Sequence, residues 1–151
     1  MLKTRSRRLL AAFGGVLILS GVGTTGAAVA AVLGATLSGE SVIGGGDRDG
    51  WGRAQVRVGD TFDDICVDLE VRSVGRVTSA QIHRGGPGVN GPPVVRLDRP
   101  DGEDQDEDDC DSIGDALADD IQANPGEFYV SIATTEFPNG ALRGQLVPNA
   151  D

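Results

Sequence analysis

Short runs of alternating apolar and polar residues, separated by turns rich in glycine and proline, constrain this chain more than any other feature. The clearest run alternates Ile65, Val67, Leu69 and Val71 with Cys66 and three charged residues, which is the period-two pattern of a half-buried β-strand. Six further runs of this kind are present. They lie at residues 35–39, 54–58, 77–83, 94–97, 128–132 and 141–146. Seven short strands with frequent turns predict an antiparallel sandwich or barrel.

One segment has the period of a helix instead. Apolar residues recur every four positions from Ile113 to Ile121, and the alanines between them favour helix. Asp111 or Ser112 is expected to cap its start, and residues 124–126, Asn-Pro-Gly, to end it. The predicted fold class is therefore all-β: an antiparallel, Greek-key-like β-sandwich with one short helix, preceded by an N-terminal signal segment.

The start of the chain has the pattern of an export signal. Basic residues precede an apolar stretch from Leu9 to Leu19, and the later sequence Ala28-Val29-Ala30 fits the small-x-small cleavage rule. We therefore predict that residues 1–30 are a signal peptide and that the mature protein is secreted or extracytoplasmic. The pair Arg7-Arg8 leaves a twin-arginine signal open beside the general one.

A retained membrane anchor is the alternative for this segment. No charge lies between Arg8 and Glu40, and that length is sufficient to span a bilayer, so residues 9–33 would form the anchor. In both cases residues 31–151 are expected to form one domain, which touches a membrane only through an uncleaved N-terminal segment.

Cys66 and Cys110 are the only cysteines in the sequence. An exported protein meets an oxidising compartment, where such a pair usually forms a disulfide. The bond would span 44 residues, for which loop-closure entropy gives a stabilisation of about 4 kcal/mol. A free or metal-binding thiol pair is the other interpretation, but neither cysteine lies in a C-x-x-C spacing.

Acidic residues dominate the chain after residue 30. That part holds nine Arg, no Lys and 23 acidic residues, a net charge of −14, which argues against nucleic acid as a partner. Nine carboxylates lie between Asp98 and Asp111, and we expect a surface loop there. The loop is either a solubilising, self-repelling segment or a calcium site, since Ca²⁺ takes six to eight oxygen ligands. The candidate calcium ligands are Asp104, Asp106, Glu107, Asp108 and Asp109, with Asp47 and Asp49 in a second acidic turn.

Several motifs resemble those of the CHRD domain, a family named after chordin. Residues 80–85, A-Q-I-H-R-G, and residues 88–92, G-V-N-G-P, resemble its A-H-I-H-x-G and G-x-N-G-P signature. Residues 128–134 resemble its Y-Y-V-N-V-H-T, and residues 137–146, F-P-N-G-A-L-R-G-Q-L, resemble its closing motif almost residue for residue. The resemblance extends over residues 33–147. Its motif residues are His83, Gly85, Asn90, Gly91, Pro138, Gly140, Arg143, Gly144 and Gln145.

The resemblance implies a function without a reaction. Chordin is a secreted antagonist of bone morphogenetic proteins, and the bacterial domain is similar to stand-alone exported modules with no assigned activity. We therefore expect a binding or structural module, with an extracellular protein or glycan as partner and no cofactor other than calcium. The family's H-I-H is also similar to copper/zinc superoxide dismutase. Gln81 and Ala133 replace two of the histidines here, so a metal site built on imidazoles is not expected.

Two motif residues allow sharper hypotheses. His83 is the only histidine and is the centre of the weakest alternative, a small enzyme or a metal site, although neither Ser79 nor Ser131 lies in a nucleophile-elbow sequence. We expect His83 to have a structural role and the protein not to be an enzyme. Arg143 is expected to form an internal ion pair with Asp68 or Glu70.

Overall fold

The structure is a computed structural model that describes residues 31–59, 64–100 and 106–149. The predicted signal peptide at residues 1–30 lies outside the described residues, as does nearly all of the alternative anchor. No helix in the described part of the chain is both long and apolar enough to cross a bilayer.

The described chain forms nine β-strands, one α-helix and one short 3₁₀ helix. The strands include all seven of the predicted runs. They are β1 (Ala31–Ser38), β2 (Trp51–Val58), β3 (Asp64–Arg72), β4 (Val77–Arg84), β5 (Pro93–Leu97), β6 (Asp106–Ser112), β7 (Phe128–Thr134), β8 (Leu142–Gln145) and β9 (Val147–Pro148). The α-helix α1 (Asp115–Ala123) and the 3₁₀ helix (Pro125–Glu127) lie between β6 and β7.

All the strand pairs are antiparallel, and the strands form one continuous sheet. Their order is β5-β4-β7-β8-β1-β2-β3-β6, with β9 beside β1. The sheet curls into a half-barrel, so that the two layers predicted for a sandwich are joined by hydrogen bonds. The predicted all-β, antiparallel class with one short helix is confirmed.

A single apolar core lies inside the curl. Alternate residues of the strands point inward, including Leu37, Val56, Leu69, Ile82 and Ile132, all at most 1% exposed. Each such side chain contributes about 1.5–3 kcal/mol to folding. Helix α1 adds two further residues, Ala118 and Ile121, to the same core.

The helix ends as predicted but begins differently. Asn124 is its C-cap and Pro125 follows, as the sequence indicates. The prediction that Asp111 or Ser112 caps the start is wrong, because both residues belong to β6. The N-cap is Gly114, with a φ of 81° and no side-chain cap. A positive φ favours glycine, which has no Cβ to clash.

The acidic segment is the largest departure from the sequence prediction. Residues 98–111 are predicted as a loop, but their second half forms β6, which pairs with β3 from Asp64 to Glu70. Aspartate is a poor strand former, so the pattern of the segment alone does not reveal the strand. Cys66 lies directly opposite Cys110 in that pairing, with 4.0 Å between their Cα atoms, and the predicted disulfide joins them.

Candidate functional site

The residues of the family motifs meet on the outer face of β4, β7 and β8, which is the face opposite the core. The strand register places His83 beside Tyr129 and Tyr129 beside Gln145. The next row places Ser131 beside Arg143. Their neighbours along each strand are buried in the core, so the period of two directs these side chains outward.

Three of these side chains form a stack. The rings of His83 and Tyr129 lie nearly parallel, at an interplanar angle of 16° and 5.0 Å between centroids. The guanidinium carbon of Arg143 lies 3.6 Å from the centroid of the same tyrosine ring. A cation over the face of an aromatic ring is attracted by the ring quadrupole. Tyr129 therefore contacts a motif residue on each of its neighbouring strands.

Arg143 holds the loop formed by residues 85–92 against this face. Its Nη2 group donates to the carbonyl oxygens of Gly86 (3.0 Å) and Val89 (2.9 Å), and Nη1 donates to Oδ1 of Asn90 (3.1 Å). The side chain is a charged group in a buried residue that is only 4% exposed. All of these acceptors are neutral.

The predicted ion pair of Arg143 with Asp68 or Glu70 is wrong. Both acids lie on β3, which is separated from β8 by β1 and β2 in the sheet. Glu70 instead forms ion pairs with Arg53 and Arg72 on the outer side of β2 and β3. The sequence identifies acidic residues that could pair with Arg143. It does not identify the backbone carbonyls of the loop to which Arg143 donates.

His83 and Tyr129 fix the end of the same loop at Gly91. Nδ1 of His83 lies 2.9 Å from the carbonyl oxygen of Gly91, and the tyrosine hydroxyl accepts the Gly91 N–H at 3.2 Å. A carbonyl can only accept, so Nδ1 carries a proton, and the lone pair of the neutral ring lies on Nε2. A Cβ at residue 91 would overlap the carbonyl oxygen of Arg84, which explains glycine there.

Gln145 joins the loop to the strands beneath it. Its Nε2 lies 2.8 Å from each of three carbonyl oxygens, those of Gly85, Gly126 and Phe128. Two other motif residues lie outside this network. A Cβ at Gly144 would overlap the backbone of β1 at Thr36, and Pro138 lies exposed in the turn before β8.

A small pocket remains between the loop and the turns at the other end of the strands. Its volume is about 160 Å³, below the roughly 300–1,000 Å³ of sites for drug-sized ligands. The pocket is lined mostly by polar groups and has no acidic residue in its wall. The lining residues are Val42, Ile43, His83, Asn90, Gly91, Tyr129, Ser131, Asn139, Gly140 and Arg143.

Five of the nine motif residues line this pocket, and Gly85 and Gln145 hold the loop beside it. The sequence interpretation missed Tyr129 and Ser131 as site residues. A signal for both was present in the F-Y-V-S-I run, whose alternation places them on one face of β7.

The calcium prediction falls partly outside the described residues. Asp104 is not described, and Asp106–Asp109 are described only as backbone of β6. Asp47 is buried, and its Oδ1 accepts the backbone N–H groups of Asp49 and Gly50, which forms an Asx turn. Among the side chains that the structure describes, no group of three or more His, Cys, Asp or Glu is placed to hold a metal ion.

The carboxyl group of Asp120, which lies away from the pocket, has a shifted pKa. The pKa of Asp120, on α1, is below its usual value, first because the Asn124 side chain donates to its carboxylate and then because Arg84 does. Arg84 Nη1 lies 2.6 Å from Asp120 Oδ2, which ties the end of β4 to the helix.

Comparison with known proteins identifies one relationship. The sequence profile of the CHRD domain matches residues 33–146, which are most of the chain and include every strand pair of the site. No curated protein matches the chain, and no solved structure matches it.

Proposed function

Since the chain belongs to the CHRD-domain family, we propose that it is an exported binding module that works outside the cytoplasm and catalyses no reaction. The family assignment supports a binding or structural role, and the outer-face pocket favours binding. The observation that carries the proposal is the convergence of the motif residues on one pocket. A purely structural motif would have no need of an open cavity at its centre.

The loop beside the pocket is held rigidly in place, as a preformed binding surface requires. Loops carry binding residues when a rigid scaffold positions them. Here Arg143, Gln145, His83 and Tyr129 hold residues 85–92 through backbone carbonyls and the Gly91 amide. Such a loop keeps its shape before a partner arrives, so less conformational entropy is lost on binding.

Apolar side chains beside the pocket add to this surface. Ile43, which lines the pocket, is 46% exposed, and Val89, which precedes the lining residue Asn90, is 55% exposed. Exposed apolar groups next to polar ones are typical of recognition sites. These side chains favour a partner that carries both apolar and polar groups.

Three features support export. The first 30 residues have the pattern of a signal peptide, the disulfide requires an oxidising compartment, and the segment after residue 30 is strongly acidic and therefore soluble at neutral pH. The proposal of no catalysis is supported by His83, whose Nδ1 donates to a carbonyl. In the described chain, neither Ser79 nor Ser131 forms a hydrogen bond with His83.

Export is tested by expressing the full-length sequence in a bacterium and recovering the protein from the medium and the cell fractions. We expect a product whose N-terminus lies near residue 31, found by mass spectrometry, with no thiol that reacts with iodoacetamide. A full-length cytoplasmic product with two free thiols would contradict the export part of the proposal.

Binding is tested with the labelled, oxidised protein on the surface of intact cells of its own host. The variant Asn139→Trp places a large ring at the mouth of the pocket, whereas Asn149→Trp makes the same change at an exposed residue of a separate cavity on the outer face of β1 and β2. We expect saturable binding that Asn139→Trp reduces and Asn149→Trp leaves unchanged. Equal binding by both variants, or no binding by the unmodified protein, contradicts the proposed site.

A further inference from the structure

We propose that the pocket binds a carboxylate group carried by an apolar substituent, with Arg143 as its counterion. This inference rests on the proposed binding function and adds the class of ligand.

Among the residues that the structure describes, the buried cation Arg143 has no anionic partner. Its described hydrogen bonds go to two backbone carbonyls and one side-chain amide, and its remaining contact is the face of Tyr129. In the described part of the chain no carboxylate forms an ion pair with it. Buried charges in proteins are as a rule paired, because desolvation of an uncompensated ion is costly. An anion in the pocket would supply the missing charge.

The guanidinium retains a donor for that anion. The described bonds use Nη1 and Nη2, and no acceptor among the described residues takes the Nε–H. Because no fully buried polar side-chain atom among the described residues lacks a partner, this nitrogen is not fully buried, and Arg143 itself lines the pocket. Arginine binds carboxylates well because its donors lie in one plane.

The rest of the wall suits an anion as well. Ser131 and Asn139 offer a hydroxyl and an amide, and no acidic residue lines the cavity. This is notable in a chain whose net charge is −10, since random placement of charge would favour acidic walls. A neutral polar ligand would not need a buried cation, and a cation would be repelled by it.

Size and surroundings narrow the class further. A volume of about 160 Å³ holds a small acid but not a large glycan. Val42 and Ile43 form the apolar part of the wall, and Val89 lies exposed beside it. These contacts favour an acid that carries an aliphatic group. Two sources share that chemistry: a free aliphatic acid and the C-terminal residue of a peptide.

Matched probes separate the charge from the rest of the ligand. N-acetyl-leucine and N-acetyl-leucinamide differ only in the carboxylate, and a pentapeptide that ends in leucine is used with a free and an amidated C-terminus. Binding is followed by the amide NMR shifts of Gly91 and Gly140, which line the pocket, on the oxidised protein. We expect the acids to bind and the amides to bind at least about tenfold more weakly.

An isosteric variant tests the role of Arg143 without removing it. Asn90→Asp places a carboxylate where Arg143 Nη1 already donates, and so supplies an internal counterion. We expect its melting temperature to be equal or higher and its affinity for N-acetyl-leucine to fall roughly tenfold or more. Asn139→Asp puts a charge at the pocket and is expected to weaken binding, whereas Asn149→Asp adds the same charge elsewhere and leaves affinity unchanged.

The outcomes are distinct from those of the cell-binding experiment. Equal binding of the acid and the amide, no binding of either acid probe, or full affinity in Asn90→Asp overturns the carboxylate proposal. The binding function survives that result if Asn139→Trp still reduces attachment to cells. If only the peptide with a free C-terminus binds, the natural ligand is the C-terminus of a peptide chain. If N-acetyl-leucine binds as tightly as that peptide, the natural ligand is a free acid. Both results support the proposal.

Discussion

Two regions of the same sheet surface treat polar side chains in opposite ways. The motif face is the outer face of β4, β7 and β8 beneath the loop of residues 85–92. There a buried arginine and a glutamine donate to backbone carbonyls. The charged face is the outer face of β1, β2, β3 and β6. There Arg53 and Arg72 flank Glu70, and the Arg53 side chain is 75% exposed.

The difference shows that one sheet uses its polar groups in two ways. On the charged face, the Arg53 side chain is largely exposed, so water screens its ion pair with Glu70 and the pair contributes little to stability. On the motif face, the covering loop excludes water, so each polar group that loses its partner stays desolvated and destabilises the fold. On the charged face, the disulfide holds β6 against β3. On the motif face, buried hydrogen bonds hold the loop of residues 85–92 against the strands.

The largest expected effect concerns that disulfide. In the double variant Cys66→Ala and Cys110→Ala, the free energy of unfolding should fall by up to about 4 kcal/mol, because the open chain regains the entropy of a 44-residue loop. Urea denaturation of the oxidised protein and the variant measures this. A loss below about 1 kcal/mol would show that β6 is held by pairing alone, and that the charged face needs no covalent constraint.

The arginines give the sharpest test of the comparison. Arg143→Met leaves the carbonyls of Gly86 and Val89 without a donor, and we expect a loss of about 3 kcal/mol. Arg53→Met removes an ion pair whose arginine is largely exposed and leaves Glu70 paired with Arg72, so a loss of about 0–1 kcal/mol is expected. The midpoint of urea unfolding is compared for the two variants. Similar midpoints would mean that the two faces do not differ in how they use charge.

The glutamines repeat the comparison without charge. Gln145→Ala removes the donor shared by three carbonyls, so a loss of about 1–2 kcal/mol is expected. Gln55→Ala changes an exposed residue of β2 and should alter stability by less than about 0.5 kcal/mol. If both changes are equally mild in thermal unfolding, the loop is held by Arg143 and the Gly91 contacts rather than by Gln145.

The smallest expected effect is a pH dependence of stability that comes from the ion pair of Arg84 and Asp120, which lies outside both faces. Asp120 has a pKa below its ordinary 3.8 in the folded protein, so its contribution to stability is present above the unfolded pKa. The contribution is lost as pH falls through the folded pKa, below 3.8. Asp120→Asn should therefore lower the melting temperature slightly at pH 6, and the difference from the unmodified protein should vanish near pH 2. A difference that is constant over this range contradicts the assignment to the carboxylate charge.

The sequence predicts the parts of the fold that depend on local pattern. The alternation around Leu69 identifies β3, and the lone cysteine pair identifies the disulfide, because both signals lie in the residues themselves. Strand β6 is not predicted, because its acidic residues have low strand propensity and its conformation is set by pairing with β3. A strand of this kind is specified by its neighbour rather than by its own residues.

The site is predictable in its members but not in its contacts. The family motifs name Arg143 and Asn90, yet their hydrogen bond joins residues 53 positions apart along the chain. The acceptors of Arg143 on the loop are mostly backbone carbonyls, which every residue has, so no side-chain pattern marks them. A search for carboxylate partners therefore leads to β3, where the structure shows surface pairs instead.

The position of β8 has a consequence for the order of folding. β8 lies between β7 and β1, and without it the sheet order divides into the group β5-β4-β7 and the group β1-β2-β3-β6. A chain that emerges N-terminus first therefore holds its early strands as an incomplete sheet until residues 142–145 are available. Such long-range closure is slow and favours late, all-at-once assembly. The pocket of the motif face is therefore complete only after β8, which carries Arg143, has joined the sheet.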